Sequence, residues 1–249
     1  MKFNQVLIIM NILAINGSPL KERGNTNIIL MEFLKGARAA GANAELIYLS
    51  DLDIRACLGK LICWVKTPGM CCQKDDMTSV MSKLKASDVW VFASPLYWDG
   101  VSGPMKNLMD RLLPLIEPQI TLVAGHCRHA LRKGVLGGKI VFISTCGFWE
   151  MDNFEPALKH IMNISKNIHR DFSGALLRPH GALLKYMDKS DPMMLDILGA
   201  CRTAGQELVS NGIISQQTQV RVSKDMMTRE EYIKKINDNM DGLLRKNKV

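Results

Sequence analysis

Short apolar runs, each preceding a longer stretch of helical periodicity, constrain this chain more than any other feature of its sequence. "ILAI" precedes "TNIILMEFLKGARAAG", "VWVFAS" precedes "GPMKNLMDRLLPLI", and "KIVFIST" precedes "FEPALKHIMNISKNI"; "AELIYL" and "FSGALL" complete a set of five. Runs that are apolar at nearly every position, rather than at alternate ones, mark strands buried on both faces. Alternating with helices, they predict an α/β protein with a five-stranded parallel sheet covered on both sides. In the first helical segment Ile29, Phe33, Leu34 and Ala37 fall at helical spacing, and Gly41 stands where a C-terminal cap is expected.

A length of 249 residues with 47% apolar composition supplies a core for one large domain. Charged residues make up 22% with both signs interspersed, which describes a globular chain with no disorder expected outside its ends. The stretch that comes nearest to a targeting segment is "KFNQVLIIMNILAI", interrupted by Asn11, without a small-residue cleavage site and too short to span a bilayer. Met10 is an alternative start. The expected compartment is the reducing cytosol, with no membrane partner. The net charge of +8 suits an anionic ligand. Its basic residues are scattered apart from the terminal "RKNK", so no nucleic-acid partner is expected.

Candidate binding residues cluster where predicted strands end. "ILAINGSPLKERGNTN" is a strand, a small-residue turn and a helix beginning near Thr26, and a helix N-terminus offers unpaired N–H groups to an anion. Ser18, Asn25, Thr26 and Asn27 add side-chain donors there; Lys21 and Arg23 add charge. Neither GxGxxG nor GxxxxGK[ST] is present. A plain strand-to-helix turn capped by Asn25 or Thr26 explains this segment taken alone. Two further loops favour a ligand: "ASPLYWDGVSGPMKN" after the third strand and "STCGFWEMDNFE" after the fourth. The three together suit a phosphate, a sugar-like chain and a flat ring, with Tyr97 or Trp98 against the ring and backbone around Gly147 at its polar edge.

"NGSP…GNTN", "SPLYWDGVSGPMKNLMDR" and "STCGFWE", in this order over roughly residues 10 to 180, resemble the NADPH-dependent FMN reductase and iron-sulfur flavoprotein families. The resemblance implies a flavodoxin-like, doubly wound fold with strand order 2-1-3-4-5. It implies FMN, with its phosphate in the loop of Ser18, Lys21, Asn25, Thr26 and Asn27. The ring would lie between Pro95, Leu96, Tyr97 and Trp98 on one side and Thr145, Cys146, Gly147 and Phe148 on the other. Leu20 stands where many relatives carry Arg. The implied activity is an oxidoreductase that takes hydride from NAD(P)H and reduces a quinone, flavin, nitro compound or protein; no protein side chain is named as catalytic, since this chemistry belongs to the flavin. The rival is a flavin electron carrier without efficient NAD(P)H turnover. A homodimer or homotetramer is also implied.

Iron-sulfur relatives carry C-x-x-C-x-x-C and a further Cys before "DDM", implied to hold a [4Fe-4S] cluster. Cys57, Cys63 and Cys71 match, but Lys60 occupies the second ligand position, and an ammonium has no free lone pair for iron. A cluster completed by Cys72, a zinc site, and a loop that keeps its path without metal all remain open. Residues 50–77, which hold these cysteines, and 114–138 exceed ordinary connections and read as functional or partner-binding loops. His126 and His129 in the second stretch lack carboxylates and read as surface or interface groups. The expected division is a flavodoxin-like FMN-binding domain over 1–212 and an extension over 213–249, the latter a polar segment and a helix opened by a Thr228/Glu231 capping box.

Overall fold

The computed structural model describes residues 9–246. The N-terminal stretch weighed as a targeting segment therefore lies, up to Ile8, outside the described residues, as do Asn247 and Lys248 of the basic tail. Among the described residues no helix is long and apolar enough to cross a membrane.

The chain runs β1 (Asn11–Asn16), α1 (Asn25–Ala39), β2 (Asn43–Tyr48), α2 (Ile62–Val65), α3 (Met77–Ala86), β3 (Val89–Pro95) and α4 (Gly103–Asp110). It continues through β4 (Ile116–Val123), β5 (His126–Leu131), β6 (Gly138–Thr145), α5 (Glu155–Asn167), β7 (Arg170–Arg178), α6 (Leu183–Tyr186), α7 (Pro192–Asn211), α8 (Gln216–Val222) and α9 (Arg229–Lys246). Five strands form one parallel sheet in the order β2-β1-β3-β6-β7. With β4 and β5 set aside, this is the expected 2-1-3-4-5.

Period-two alternation in the strands sorts the core into two layers. Ile12 and Ala14 of β1 join Val89 and Val91 of β3 beneath α1 and α7. Leu13 and Ile15 join Trp90 and Phe92 on the other face, beneath α3, α4 and α5. These eight side chains, four from β1 and four from β3, are all buried, which explains why these runs are apolar without alternation.

Helices α1 and α7 approach closely enough that only glycine fits at two positions. A Cβ on Gly36 would lie 1.9 Å from the Arg202 carbonyl oxygen, and one on Gly205 would lie 2.1 Å from that of Phe33. The contact is reinforced by Glu32 of α1, which accepts from Arg202 of α7 and, at 2.5 Å, from Lys35. These charges hold the Glu32 carboxyl below its usual range, against an opposing push from burial that is the largest single influence on it.

The 114–138 stretch is not an irregular loop. It contains an antiparallel hairpin, β4 and β5, joined by Ala124 and Gly125, both at positive φ (48° and 79°), as a two-residue hairpin turn requires. The cysteine segment packs on it: the Trp64 indole N–H donates to the Leu113 carbonyl at 3.0 Å, and the Trp64 ring lies 5.0 Å from that of His129. At the C-terminus the capping box is present, with Thr228 N–H donating to Glu231 Oε2 at 2.8 Å and Glu231 N–H to Thr228 Oγ1 at 3.3 Å.

Gly36→Ala should destabilise the protein by about 1–3 kcal/mol, the usual cost of overpacking an interior contact. Urea unfolding checks this: the midpoint should fall with an unchanged slope.

Candidate functional site

The sheet registers Asn16 against Ala93, Pro95 against Thr145, and Thr145 against Arg178, so the loops after β1, β3, β6 and β7 leave from one edge. Ligands in open α/β sheets bind at this carboxyl edge.

Side-chain hydrogen bonds tie the loops together. Thr26 Oγ1 at the start of α1 lies 2.7 Å from Thr145 Oγ1 at the end of β6. Ser102 donates its hydroxyl to the Gly17 carbonyl at 2.7 Å and its N–H to Ser94 Oγ at 2.9 Å, while Ser144 donates to the Ser94 carbonyl at 2.8 Å. All five of these hydroxyl-bearing residues are buried, so each bond spares a polar group an unpaired burial.

Two adjoining cavities result. The inner one, about 170 Å³, lies between the β1 loop and the β3 and β6 strand ends, and its lining includes Ser18, Asn25, Thr26, Pro95, Leu96, Tyr97, Thr145, Cys146 and Gly147. No charged side chain is among its lining residues. The outer one, about 440 Å³, shares Leu96, Cys146 and Gly147 and adds Trp98, Asp99, Phe148 and Asn153. Together they contain eleven of the thirteen residues expected from sequence to hold a cofactor.

Lys21 and Asn27 are placed elsewhere. Lys21 pairs with Asp51. The Asn27 Oδ1 accepts from Asn16 Nδ2 at 3.2 Å and from the Tyr48 hydroxyl at 3.1 Å, and its Nδ2 donates to the Glu22 carbonyl at 3.3 Å. Asn27 thus braces the loop from behind. Asn25, by contrast, lines the inner cavity with a buried Oδ1 that has no hydrogen-bond partner. No side chain caps α1, whose first N–H groups open toward the same end. An amide can turn its NH₂ or its oxygen toward a ligand.

The outer cavity is bordered by exposed aromatics. Tyr97 and Gly100 exchange backbone hydrogen bonds of 2.9 and 3.1 Å around Trp98 and Asp99, which both adopt positive φ (49° and 57°). Trp98 is fully exposed, a strained backbone position for a bulky side chain. Phe148 is also exposed. Between them Cys146 is buried, and burial, with the Asp99 and Glu150 carboxylates, raises its thiol pKa so that it stays neutral at pH 7.

Behind this loop lies a buried polar cluster that sequence reasoning missed. Arg178, wholly buried, donates to the carbonyls of Pro179, Val222 and Lys224 at 3.0, 2.9 and 2.6 Å and to His180 Nε2. The imidazole stacks on Trp149 with ring centroids 4.2 Å apart. Burial, then the Arg178 charge, lowers the His180 pKa to about 3. Lone Arg178 and His180 carried no pattern in the sequence; two of the carbonyls that Arg178 holds, those of Val222 and Lys224, are 44 and 46 residues away.

The four loop cysteines Cys57, Cys63, Cys71 and Cys72 line one small cavity of about 30 Å³, together with Lys60. Among the described residues no group of three His, Cys, Asp or Glu side chains is disposed to hold a metal ion. With Lys60 at one expected ligand position, a [4Fe-4S] cluster here would need Cys72 as its fourth thiolate. His126 and His129 likewise form no such group; His129 Nδ1 lies 3.2 Å from the Gln119 carbonyl.

The family model described as NADPH-dependent FMN reductase matches residues 10–169. The chain belongs to this family. Among curated proteins it is 38% identical over 106 residues to an iron-sulfur flavoprotein of Methanocaldococcus jannaschii, covering 43% of this chain and 53% of that protein. It is 40% identical over 102 residues to one of Archaeoglobus fulgidus, covering 41% and 48%. The chain thus spans about half the length of the curated relatives it matches. Its fold is shared with an NAD(P)H:quinone oxidoreductase from Methanothermobacter marburgensis, with a TM-score of 0.56 and 17% identity, covering 80% of this chain and 97% of that one. It is also shared with an FMN-dependent NADH-azoreductase from Bacillus anthracis solved with FMN, with a TM-score of 0.58 and 16% identity, covering 82% and 99%.

The buried neutral His180 predicts an acid-sensitive fold. The unfolded chain binds a proton near pH 6.5, while the folded chain resists protonation down to about 3. Between those values the unfolded state holds more protons, so stability rises with pH there and falls as pH drops. Thermal unfolding from pH 7 to pH 4 should show a steeper loss for wild type than for His180→Gln, whose side chain still accepts from Arg178.

Proposed function

We propose that this protein is an FMN-dependent oxidoreductase that takes hydride from NAD(P)H and passes electrons to a quinone, flavin, nitro compound or protein acceptor. The observation that carries the reading is the pair of adjoining cavities at the sheet's carboxyl edge: a small neutral one against the N-terminus of α1, and a larger one flanked by aromatics. Bound FMN would supply hydride acceptance at its N5 and onward electron transfer.

The chain's own residues bind and orient. The phosphate is assigned to the α1 N-terminus with Ser18, Asn25 and Thr26, where backbone N–H groups and the helix dipole replace the absent arginine at position 20. The unpartnered Asn25 amide, which turned over would aim its NH₂ at an anion, and the uncharged lining support this. Thr145, Cys146 and Gly147 face the ring from one side, and Pro95 to Trp98 from the other. Keeping Cys146 neutral leaves the ring free of an adjacent thiolate that would oppose its reduction. The FMN-binding unit is assigned to residues 1–212, with 213–249 as an added segment. Residence in the cytoplasm, and a homodimer or homotetramer formed with the exposed Ile120 and Leu122 of the hairpin, belong to the same proposal.

A second reading is favoured by the four thiols around one cavity and by the names of the iron-sulfur flavoprotein relatives: an electron carrier without efficient NAD(P)H turnover. Steady-state NAD(P)H oxidation with added acceptors separates the two, because turnover no faster than that of free FMN rules out the reductase. Asn25→Asp tests the phosphate position in the same preparation. A carboxylate at a helix N-terminus favours the apo fold but repels a phosphate. FMN affinity should therefore fall about tenfold or more without loss of apo stability, and unchanged affinity in titration would place the phosphate elsewhere.

Lys60→Cys restores the fourth thiol at the position where relatives carry one. After anaerobic reconstitution it should hold more iron and sulfide per chain than wild type. Equal iron in both would show that the loop's path, and not its missing ligand, has diverged.

A further inference from the structure

The loop Cys146–Phe148 borders both cavities, and each of its three carbonyls is held from outside the loop. Cys146 C=O accepts from Gly181 N–H and Phe148 C=O from His180 N–H, both at 2.7 Å. These donors sit in the turn just after β7, next to the site. The third carbonyl, that of Gly147, accepts from the hydroxyl of Tyr232, which lies 85 residues further along the chain, in α9.

Tyr232 is held firmly enough for this bond to matter. It is buried, with its ring 5.6 Å from Trp149 and 5.7 Å, edge-on, from His180. The capping box of α9 adds a further hydrogen bond, from Tyr232 N–H to the Thr228 carbonyl at 3.0 Å. The peptide whose oxygen Tyr232 holds carries the Phe148 N–H at its other end, and that N–H donates to Cys146 Sγ at 3.2 Å. Both polar ends of the Gly147–Phe148 peptide are therefore pinned, one by the loop itself and one by the C-terminal segment. Gly147 has no side chain of its own to anchor it, and a Cβ built there would meet nothing within 4 Å. Rotation of this peptide is opposed by hydrogen bonds and not by packing.

We propose that Tyr232 is a positioning residue for the cofactor: its hydroxyl sets the orientation of the Gly147–Phe148 peptide, and through it the affinity and reduction potential of the bound flavin. The proposal rests on the FMN reading of the site. Reduction adds negative charge to the ring, so a fixed peptide dipole at its edge acts differently on the oxidised and reduced forms, whereas a rotating one averages out. The C-terminal segment then reaches beyond the family match, which ends at residue 169, to act on the site from behind.

Tyr232→Phe removes the hydroxyl and leaves the ring packed against Trp149 and His180. FMN titration, the midpoint potential of the bound flavin by dye-coupled reduction, and thermal unfolding of the apo protein are measured on both full-length chains. The expected result is an FMN dissociation constant raised about fivefold and a shifted potential, on top of the fall of a few degrees in apo melting temperature that losing one buried hydrogen bond brings. Wild-type affinity and potential in Tyr232→Phe overturn the proposal, whatever its melting temperature, and leave the FMN reading intact. Tyr232→Leu removes the ring as well. If it shifts affinity and potential only when Phe does, the hydroxyl is the agent; if Leu shifts them and Phe does not, the ring's packing is responsible and the proposal fails. A wild-type chain that binds no FMN overturns the underlying reading instead.

Discussion

Burial of the parallel sheet on both faces is the constraint on which everything else rests. Because Leu13 and Ile15 pack against one helical layer while Ile12 and Ala14 pack against the other, β1 has no face left for water. Each parallel connection must cross over the sheet, and every strand ends at the same edge. The loops at that edge are released from packing the core and are free to carry polar groups. The site is in this sense a by-product of closing the core.

What the edge offers is polarity without net charge. The chain as a whole is strongly basic, yet no charged side chain lines the inner cavity, whose polar side chains are mainly hydroxyls and an amide, and the nearest loop lysine is paired with Asp51. Fixed dipoles of this kind bind an anion without the desolvation cost of burying a counter-charge. The same economy of charge recurs at Cys146, whose burial keeps it a thiol, and at His180, whose burial keeps it a neutral imidazole.

The segments outside the central alternation have distinct relations to this edge. The cysteine stretch packs on the β4–β5 hairpin through Trp64 and is bound to α4 by the buried Arg111–Asp75 pair, whose two bonds measure 2.8 and 2.9 Å. Its thiols line their own cavity, distinct from the pair at the sheet edge. The C-terminal segment instead enters the principal core, where Val222, Met226 and Tyr232 are buried with α1 and α7. Arg178 secures it by taking the carbonyls left over at the end of α8, a favourable place for a cation.

Local pattern carried the sheet, the helices that cover it, and most of the lining of the two cavities at its edge. Unbroken apolar runs such as "VWVFAS" report two buried faces directly, and the small and aromatic residues after each run, among them Ser18, Tyr97 and Gly147, follow because strand ends are where backbone must turn. The capping box at Thr228 was legible for the same reason, its partners being three residues apart. The hairpin was not, because His126, Arg128 and His129 break its apolar alternation and its turn places Ala124, an unexpected residue, at positive φ. Nor could pattern separate Asn25, with an unpartnered oxygen in the cavity, from Asn27, spent on Asn16 and Tyr48. The sequence by itself determined the five strands of the parallel sheet, the main helices between them and which strand ends gather small and aromatic residues, because hydrophobic period and turn chemistry act over a few residues. Only the tertiary structure decided that Arg178, His180 and Tyr232 meet behind Gly147, because contacts between residues tens of positions apart depend on how buried faces pack and leave no local trace.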